Sequence, residues 1–306
     1  MGRFKTIILW AISLLFLFYT LWGIDFFAVI TAMRSYYPAP AWLVGFFLLM
    51  FYLSNALRLY LLLPGEKKAQ TAIKAIFIGM GYNNIMPAKA GEILKIMYLS
   101  RNLNMPLADS GATVFCERIF DILFLFALSL VLAYFGFESI PLYIPFILIF
   151  LLAVGFFLVR RYSDFFHACY KKIPSIRFGK FMDMLHYRLI DAVTLRWFSR
   201  GIGITCLVWL VSLSCYITAL LFVAELRITV FQAVVVFVAA SFGSAIPSSP
   251  GALGVFEASI VYSLSLFGVG REEAFGAALF LRIILFLPVT VAGLVFFIMS
   301  REKTTS

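Results

Sequence analysis

Charged residues are scarce in this chain. Asp, Glu, Lys and Arg make up 13% of its 306 residues, whereas 63% are hydrophobic, including 35 phenylalanines. A soluble domain carries about twice that share of charged residues on average. The shortage of charge and the long apolar runs predict an all-α, polytopic integral membrane protein.

Residues arranged for catalysis or metal binding are also lacking. The four cysteines do not have the spacing of a metal site or a redox pair, and we expect them to stay reduced; they are Cys116, Cys169, Cys206 and Cys215. The sequence has only two histidines. It contains neither a Ser-His-Asp order nor a nucleotide-binding glycine loop. We therefore predict no cofactor, no metal and no catalytic residue, although a membrane-embedded transferase using one carboxylate and a metal stays open.

Six apolar runs have about the 18–20 residues that a spanning helix needs. They cover approximately 7–24, 41–63, 111–135, 141–159, 201–223 and 275–299. Two further apolar regions, 71–105 and 230–268, are interrupted near the middle by proline and glycine. The pattern predicts about six spanning helices and two interrupted segments.

Loop charges orient these elements. The segment 160–200 carries nine Lys or Arg residues, so the positive-inside rule predicts that it is cytoplasmic. Its apolar residues recur at helical spacing, which predicts an amphipathic helix on the inner leaflet. Both termini then lie in the cytoplasm, region 71–105 starts and ends inside, and region 230–268 starts and ends outside. Arg58 is interpreted as snorkelling to the interface. A basic cytoplasmic face explains the net charge of +10 better than a nucleic-acid partner does.

This sidedness predicts two halves, 1–140 and 141–306, in an inverted repeat. Each half has two spanning helices, a re-entrant helical hairpin and one further helix. The interruptions share a spacing, because Pro87 precedes Gly91 by four residues and Pro247 precedes Gly251 by four. Paired Pro and Gly interruptions in two halves of a membrane protein mark a transport site near the midplane.

The tip of the second hairpin carries groups suited to an anion. Ser248 and Ser249 offer hydroxyls, Gly251 permits close approach of a head group, and the first amides of the following helix lack intrahelical partners. These features predict a phosphate cradle. A tight turn whose serines cap the helix is the alternative.

The tip of the first hairpin has the same character with more charge. Lys89 can meet a phosphate, and Asn83 and Asn84 supply amide donors and acceptors. Glu92 lies one turn before Lys95 on the following helix. An interfacial helix with a solvated polar face is the alternative.

Charged residues inside predicted spans are the remaining candidates. Glu117 and Asp121 share a helix face, and Arg118 can pair with Asp121 three residues on. In the second half, Arg282 is expected to pair with Glu257. Intramembrane charges usually mark a functional interior. Charge pairs that only brace helix packing are the alternative.

Four motifs in order, "NNIMPAKAGE", "ERIFD", "PSSPGALGVFE" and "LFLRI", resemble the lysylphosphatidylglycerol synthase transmembrane-region family, which includes the flippase domain of multiple peptide resistance factors. The matching residues are Asn84 (or Asn83), Pro87, Gly91, Glu92, Glu117, Arg118, Asp121, Pro247, Pro250, Gly251, Gly254, Glu257 and Arg282. Ala252 departs from the pattern where a second glycine is common.

The resemblance implies lipid translocation, because synthase chemistry in this family belongs to a separate soluble C-terminal domain that this sequence does not contain. The implied function is a flippase of the cytoplasmic membrane for an anionic or phosphate-bearing lipid: a phospholipid, an aminoacylated phospholipid or a polyprenyl-linked lipid. The tip residues, Arg118 and Arg282 would bind the head group, while Glu117, Asp121 and Glu257 would balance charge or carry protons. A head-group transferase and an accessory subunit of a separately encoded lipid-modifying synthase are the alternatives, and a homodimer is open.

Overall fold

The computed structural model describes residues 3–65, 67–136, 143–173, 176–191, 195–246 and 249–305. Within these ranges the chain is all-helical, as its composition predicts, and contains no strand. The helices are α1 (Arg3–Leu21), α2 (Phe26–Arg34), α3 (Ala41–Leu62), α4 (Ala69–Ile85), α5 (Gly91–Asn102), α6 (Leu107–Tyr134), α7 (Tyr143–Arg161), α8 (Ser163–Lys171), α9 (Ile176–Asp191), α10 (Leu195–Ile217), α11 (Val230–Ala245), α12 (Val255–Ser265) and α13 (Arg271–Thr305).

Local sequence signals account for several helix ends. The Asp25 carboxylate accepts a hydrogen bond from the Phe27 amide at 2.8 Å and so caps α2. Thr229 and Gln232 form a reciprocal capping box at the start of α11. Helix α4 ends at Ile85 because the next residue precedes a proline and is held in an extended conformation.

In the described part of the chain, three helices are long and apolar enough to cross a membrane: Ala41–Leu62, Trp197–Val223 and Arg271–Ser300. Two bent helix pairs raise the number to five if each pair forms one span. Helix α6 has 28 residues, the length of a span, but it carries four charged side chains. A membrane-spanning protein is therefore confirmed, whereas six spans and an inverted repeat stay predictions.

The contacts between residues divide the chain into two compact units. Unit 1 comprises the described residues of Met1–Leu53, Ile73–Lys95 and Trp209–Ser306. Inside it α12 packs against α1, α11 and α13, and α2 packs against α13. Its apolar core includes Ile260 and Leu281, both fully buried.

Unit 2 comprises the described residues of Ser54–Ala72 and Ile96–Val208. Helix α6 packs against α7 and α9, and α8 packs against α9. Leu62, Cys116 and Phe120 form a buried cluster that also contacts Trp197 and Phe198.

The basic segment 160–200 differs from the single amphipathic helix predicted. Its described residues contain α8 and α9 between the end of α7 and the start of α10, and α9 packs on α6, so part of the apolar face of α9 is covered by protein. Phe165 on α8 and Phe178 on α9 are more than half exposed. The location of this segment at the inner leaflet stays a prediction.

A polar cluster joins α8 to α9. His186, which is 3% exposed, contacts the Ser163 hydroxyl at 2.9 Å through Nε2 and the Tyr170 hydroxyl at 3.4 Å through Nδ1. His167 pairs with the Asp183 carboxylate through Nδ1, and the two imidazole rings meet edge to face. The cluster holds the two helices together at their polar contact.

Candidate functional site

Both interrupted regions form a helix, a short 3₁₀ turn and a second helix. The first break, Pro87–Lys89, separates α4 from α5, and the second break, Pro250–Ala252, separates α11 from α12. Helix α12 packs back on α11, and α5 lies against α4 at Gly91, as a hairpin requires. The predicted interruptions are therefore real breaks in the helices.

The two breaks begin and end alike, although Gly251 inside the second turn also has a positive φ of 61°. Each 3₁₀ turn begins at a proline and ends at a residue in the left-handed region, with φ of 55° at Lys89 and 51° at Ala252. Non-glycine residues rarely adopt this conformation outside tight turns or functional sites. The packing around each break must hold it in place.

The described turns place Pro87 and Pro250 at equivalent positions, because each proline starts a 3₁₀ turn. The sequence pattern pairs Pro87 with Pro247, which lies outside the described residues, so that pairing stays a prediction. The matching glycines are then Gly91 and Gly254, each four residues after its proline.

Close packing explains these two glycines. A Cβ at Gly91 would lie 2.1 Å from the carbonyl oxygen of Gly79 on α4. A Cβ at Gly254 would lie 2.5 Å from the carbonyl oxygen of Ser13 on α1, and its φ is +82°. Neither contact leaves room for a side chain, so the backbone of each hairpin tip packs directly against the backbone of a neighbouring helix.

Arg282 of α13 braces the second break. Its guanidinium forms the predicted ion pair with Glu257, donating through Nε and, at 2.9 Å, through an Nη. It also donates to the Gly251 carbonyl at 3.0 Å and to the Ala252 carbonyl at 3.4 Å. Glu257 in turn accepts the Gly254 amide at 2.8 Å. This arginine therefore holds the tip together through the carboxylate and two main-chain carbonyls.

Two aromatic rings enclose the same guanidinium. Its central carbon lies 5.1 Å from the centroid of Phe256 and 4.6 Å from that of Phe286. Cation–π contacts of this kind stabilise a desolvated arginine. The role of Arg282 in binding substrate stays a prediction, and its observed contacts position the second break.

Side-chain amides hold the first break. Asn83 donates to the Glu92 carboxylate at 3.3 Å, which links the last turn of α4 to the first turn of α5. Asn84 donates to the Thr290 hydroxyl at 2.8 Å and to the Phe286 carbonyl at 3.2 Å, both on α13. Helix α13 thus contacts both hairpin tips.

The two breaks contact each other inside unit 1. A Cβ built on Gly251 would lie 3.4 Å from the Asn84 carbonyl oxygen. A cavity of about 290 Å³ opens beside this contact. Its lining residues are Phe51, Tyr52, Met80, Asn83, Asn84, Lys89, Ser244, Ile246, Ser249, Gly251, Ala252, Leu285, Phe286 and Val289.

The cavity has a polar end and an apolar wall. The polar end is formed by amide, ammonium and hydroxyl groups of the two hairpins, from Asn83, Asn84, Lys89 and Ser249. The apolar wall includes side chains of α13 such as Leu285. Lys89 is the one charged residue among the described lining residues, and none of them is Asp or Glu. The cavity is therefore suited to a ligand that has both an anionic group and an apolar chain.

The remaining intramembrane charges form a separate cluster in unit 2. Arg58 of α3 is 1% exposed and contacts the Asp121 carboxylate at 2.5 Å and Glu117 at 3.4 Å. It also donates to the Asn55 side chain at 3.2 Å. Arg118, 40% exposed, lies 3.2 Å from Asp121 as predicted. The cluster combines one buried cation with two buried carboxylates.

Arg58 was misjudged from the sequence. Its position near one end of a long apolar run is typical of a snorkelling side chain, but the structure buries it completely. The sequence offered one usable signal: two acids on a face of α6 exceed what Arg118 alone can neutralise, so a further buried cation was required.

The structure thus separates the predicted site residues into three groups. Asn83, Asn84, Lys89, Ser249 and Gly251 line the cavity. Pro87, Gly91, Glu92, Glu257 and Arg282 shape or brace the two breaks. Glu117, Arg118 and Asp121 belong to unit 2. Ser248 lies outside the described residues.

Sequence reasoning missed most of the cavity wall. Phe51 and Tyr52 of α3, Met80 of α4 and Leu285 of α13 line it, although each looks like an ordinary span residue in the sequence. Lipid-facing and cavity-facing positions of a spanning helix have the same apolar character. Among the described residues, no group of three or more His, Cys, Asp or Glu could hold a metal ion.

Comparison with known proteins agrees with these features. The chain is 27% identical over 240 residues to the UPF0104 membrane protein MJ1078 of Methanocaldococcus jannaschii, an alignment that covers 73% of this chain and 96% of that protein. A family model described as the lysylphosphatidylglycerol synthase TM region matches residues 6–293, nearly the whole chain. The chain therefore belongs to the lysylphosphatidylglycerol synthase transmembrane-region family.

Proposed function

We propose that this protein is a flippase that moves a lipid with an anionic or phosphate-bearing head group across the cytoplasmic membrane. The observation that carries the proposal is the cavity at the contact of the two helix breaks. It combines a lysine, amides and hydroxyls with an apolar wall inside a membrane-spanning chain. Phosphate-bearing lipids require this combination of surfaces.

In the proposed mechanism the head group enters the cavity while the acyl chains stay in the bilayer. Lys89, Asn83 and Ser249 bind the head group, and Arg282 keeps the second break in its bound conformation. Interrupted helices expose main-chain groups that must be buried or face a water-filled cavity, which suits a path for a polar head group. Access alternates between the two leaflets as one half rocks against the other, and both termini are cytoplasmic.

The charged groups outside the cavity have supporting roles in this proposal. Glu257 balances Arg282 at the second break, and Glu117 and Asp121 balance Arg58 in unit 2. Transport is favoured over head-group transfer because the matching family model is that of a membrane region.

A transbilayer assay tests the proposal. Purified protein is reconstituted into liposomes that contain a trace of fluorescent phosphatidylglycerol, and dithionite reports the fraction of probe that reaches the outer leaflet. We expect wild-type protein to raise the transfer rate well above that of protein-free liposomes. An unchanged rate would refute the flippase assignment.

A matched pair of variants on α13 tests whether the lipid head group passes through the cavity. Leu285 lines the cavity, whereas Leu287, two residues on, is 58% exposed. Leu285→Trp should block transfer by filling the cavity, and Leu287→Trp should transfer lipid at the wild-type rate. Equal activity of the two variants would place the path elsewhere in the molecule.

A further inference from the structure

We infer that α13 contains a hinge at Pro288 that lets the second hairpin move relative to the first, and that Asn84 is the latch that holds this hinge in the conformation described above. This inference rests on the proposed flippase function and names the residues through which access to the cavity alternates. It follows from the contacts that each half of α13 makes within unit 1.

The part of α13 before Pro288 is attached to the second hairpin. Arg282 pairs with Glu257 of α12 and donates to main-chain carbonyls of the second break. Four residues further on, the Phe286 ring packs edge to face on Phe256 of α12, with ring centroids 5.2 Å apart. This half of α13 therefore follows any movement of α12.

The part of α13 after Pro288 is attached to the first hairpin instead. A Cβ built on Gly293 would lie 2.4 Å from the Phe77 carbonyl oxygen of α4, so the two backbones are in direct contact. The Phe296 ring also packs on Phe77, with ring centroids 5.5 Å apart. A movement between the two hairpins has to be absorbed between Arg282 and Gly293.

Pro288 is the weakest point of this stretch of helix. Proline has no amide hydrogen, so the helical hydrogen bond to the Ile284 carbonyl cannot form. Sharp bends in long helices occur mostly at prolines. Leu285 and Val289, on either side of the proline, both line the cavity. Bending at this point therefore moves the cavity wall.

Asn84 of the first hairpin connects the two sides of the proline. Its side-chain amide donates to the Phe286 carbonyl at 3.2 Å, before the proline, and to the Thr290 hydroxyl at 2.8 Å, after it. The Thr290 hydroxyl donates to the same carbonyl at 2.6 Å, a back-bond that often accompanies helix bending. Bending α13 at Pro288 separates the two acceptors, so the amide cannot keep both bonds.

Distances between spin labels test the hinge independently of transport. The labels are attached to Tyr262→Cys on α12 and Ile298→Cys on α13, both at positions that are more than half exposed. Cys169, which is exposed, and Cys206, which is partly exposed, are replaced by serine. We expect one narrow distance distribution in this background. Asn84→Leu, which keeps the approximate size of the side chain but removes the donor, should broaden or shift it.

Replacement of the proline shows whether the hinge lies at this residue. Pro288 is exposed, so Pro288→Ala removes little packing while it restores the missing hydrogen bond. The double variant Asn84→Leu/Pro288→Ala should return to the narrow distribution. A distribution that Asn84→Leu leaves unchanged, or that stays broad in the double variant, would overturn the inference.

The control removes an amide away from the hinge. Asn102 is exposed on α5 and donates to the Tyr98 carbonyl of its own helix at 2.9 Å. Asn102→Leu should keep the narrow distribution. If it broadens the distribution as strongly as Asn84→Leu does, the effect is not specific to the latch and the inference fails.

Lipid transfer connects the hinge to the proposed function. In the liposome assay, Pro288→Ala should transfer phosphatidylglycerol roughly tenfold more slowly than wild type, about the factor that one regained main-chain hydrogen bond provides. Leu287→Ala, at an exposed neighbouring position, keeps the proline and should transfer at the wild-type rate. A wild-type rate in Pro288→Ala would overturn the inference but leave the flippase function standing. If wild-type protein transfers no lipid, the proposed function is refuted, and the label distances still decide whether α13 bends at Pro288.

Discussion

At the scale of single residues, the buried arginine of unit 2 is held between two carboxylates. Arg58 is 1% exposed and contacts Glu117 and Asp121. Removing one member of a buried ion pair leaves an uncompensated charge in a medium of low polarity, and this costs about 3–5 kcal/mol. Removing one member of the cluster therefore changes the free energy of unfolding strongly, although the intact buried pair adds little net stability.

We expect Arg58→Met to lower the free energy of unfolding by about 3–5 kcal/mol, measured by titration of detergent-solubilised protein with sodium dodecyl sulfate. Neutralising both carboxylates in the same chain, with Glu117→Gln and Asp121→Asn, should restore much of the loss. Arg118→Gln is the control, because this arginine is 40% exposed and an exposed pair contributes about 0–1 kcal/mol. Equal losses in the two arginine variants would contradict the buried pairing.

A second residue-scale prediction concerns pH. Burial and the neighbouring His167 lower the pKa of the His186 imidazole, and Asp183 opposes part of this shift. The folded protein therefore favours neutral His186, and the stabilisation is complete above the unfolded pKa of about 6.5. It is lost as the pH falls below that value through the folded pKa.

Hydrogen exchange of peptides from α9 measures this effect. After correction for intrinsic rates, we expect exchange at about pH 5.5 to be faster than at about pH 7.5, because protonation disrupts the contacts of His186 with Ser163 and Tyr170. His186→Gln should remove most of the pH dependence. Exchange that is independent of pH in the wild type would exclude this role.

At the scale of elements, the hairpins depend on the absence of side chains where backbones meet. A Cβ built on Gly91 would lie 2.1 Å from the Gly79 carbonyl oxygen. Gly81 on α4 and Gly293 on α13 also approach closely, because a Cβ built on either would lie 2.7 Å or 2.4 Å, respectively, from the backbone of the other helix. Small residues let membrane helices associate through close packing, which replaces the hydrophobic driving force that lipid does not supply.

We expect Gly91→Ala to cost about 1–3 kcal/mol or more in stability, because the methyl group meets main-chain atoms that cannot rotate away. Gly45→Ala on α3 is the matched control, since a Cβ there meets nothing within 4 Å. The two variants are compared by folded yield in size-exclusion chromatography and by lipid transfer per folded molecule. A Gly91→Ala protein with wild-type yield and transfer would contradict the close seating of α5 on α4.

At the scale of the whole molecule, sidedness is the property on which the transport proposal depends. The nine basic residues of 160–200 predict that α8 and α9 face the cytoplasm. One native cysteine reports on this directly once Cys206, which is partly exposed, is replaced by Ser, because Cys169 on α8 is exposed while Cys116 and Cys215 are buried.

We expect a membrane-impermeant maleimide to modify Cys169 in inside-out vesicles and to leave it unmodified in intact spheroplasts. A cysteine placed at Arg227, an exposed position before α11, should show the opposite pattern in a Cys169→Ser background. Labelling of both positions from the same side would invalidate the predicted topology. It would leave the cavity and its contacts unchanged.

The sequence by itself determined the class of the molecule and the location of its helix breaks. Both depend on short-range physics: apolar length decides whether a helix can span a membrane, and proline stops a helix at the preceding residue. The pairing of Arg282 with Glu257 was also predictable, because isolated charges in consecutive apolar elements have few other partners.

Only the tertiary structure decided how these parts combine. Pro87 and Pro250 are more than 150 residues apart in the chain, yet their breaks contact each other beside the cavity. Neither this contact nor the burial of Arg58 has a local cause, since each depends on which helices pack side by side. The two faces of an apolar helix look alike in sequence because lipid and protein interior are equally apolar, so packing alone assigned Tyr52 and Leu285 to the cavity.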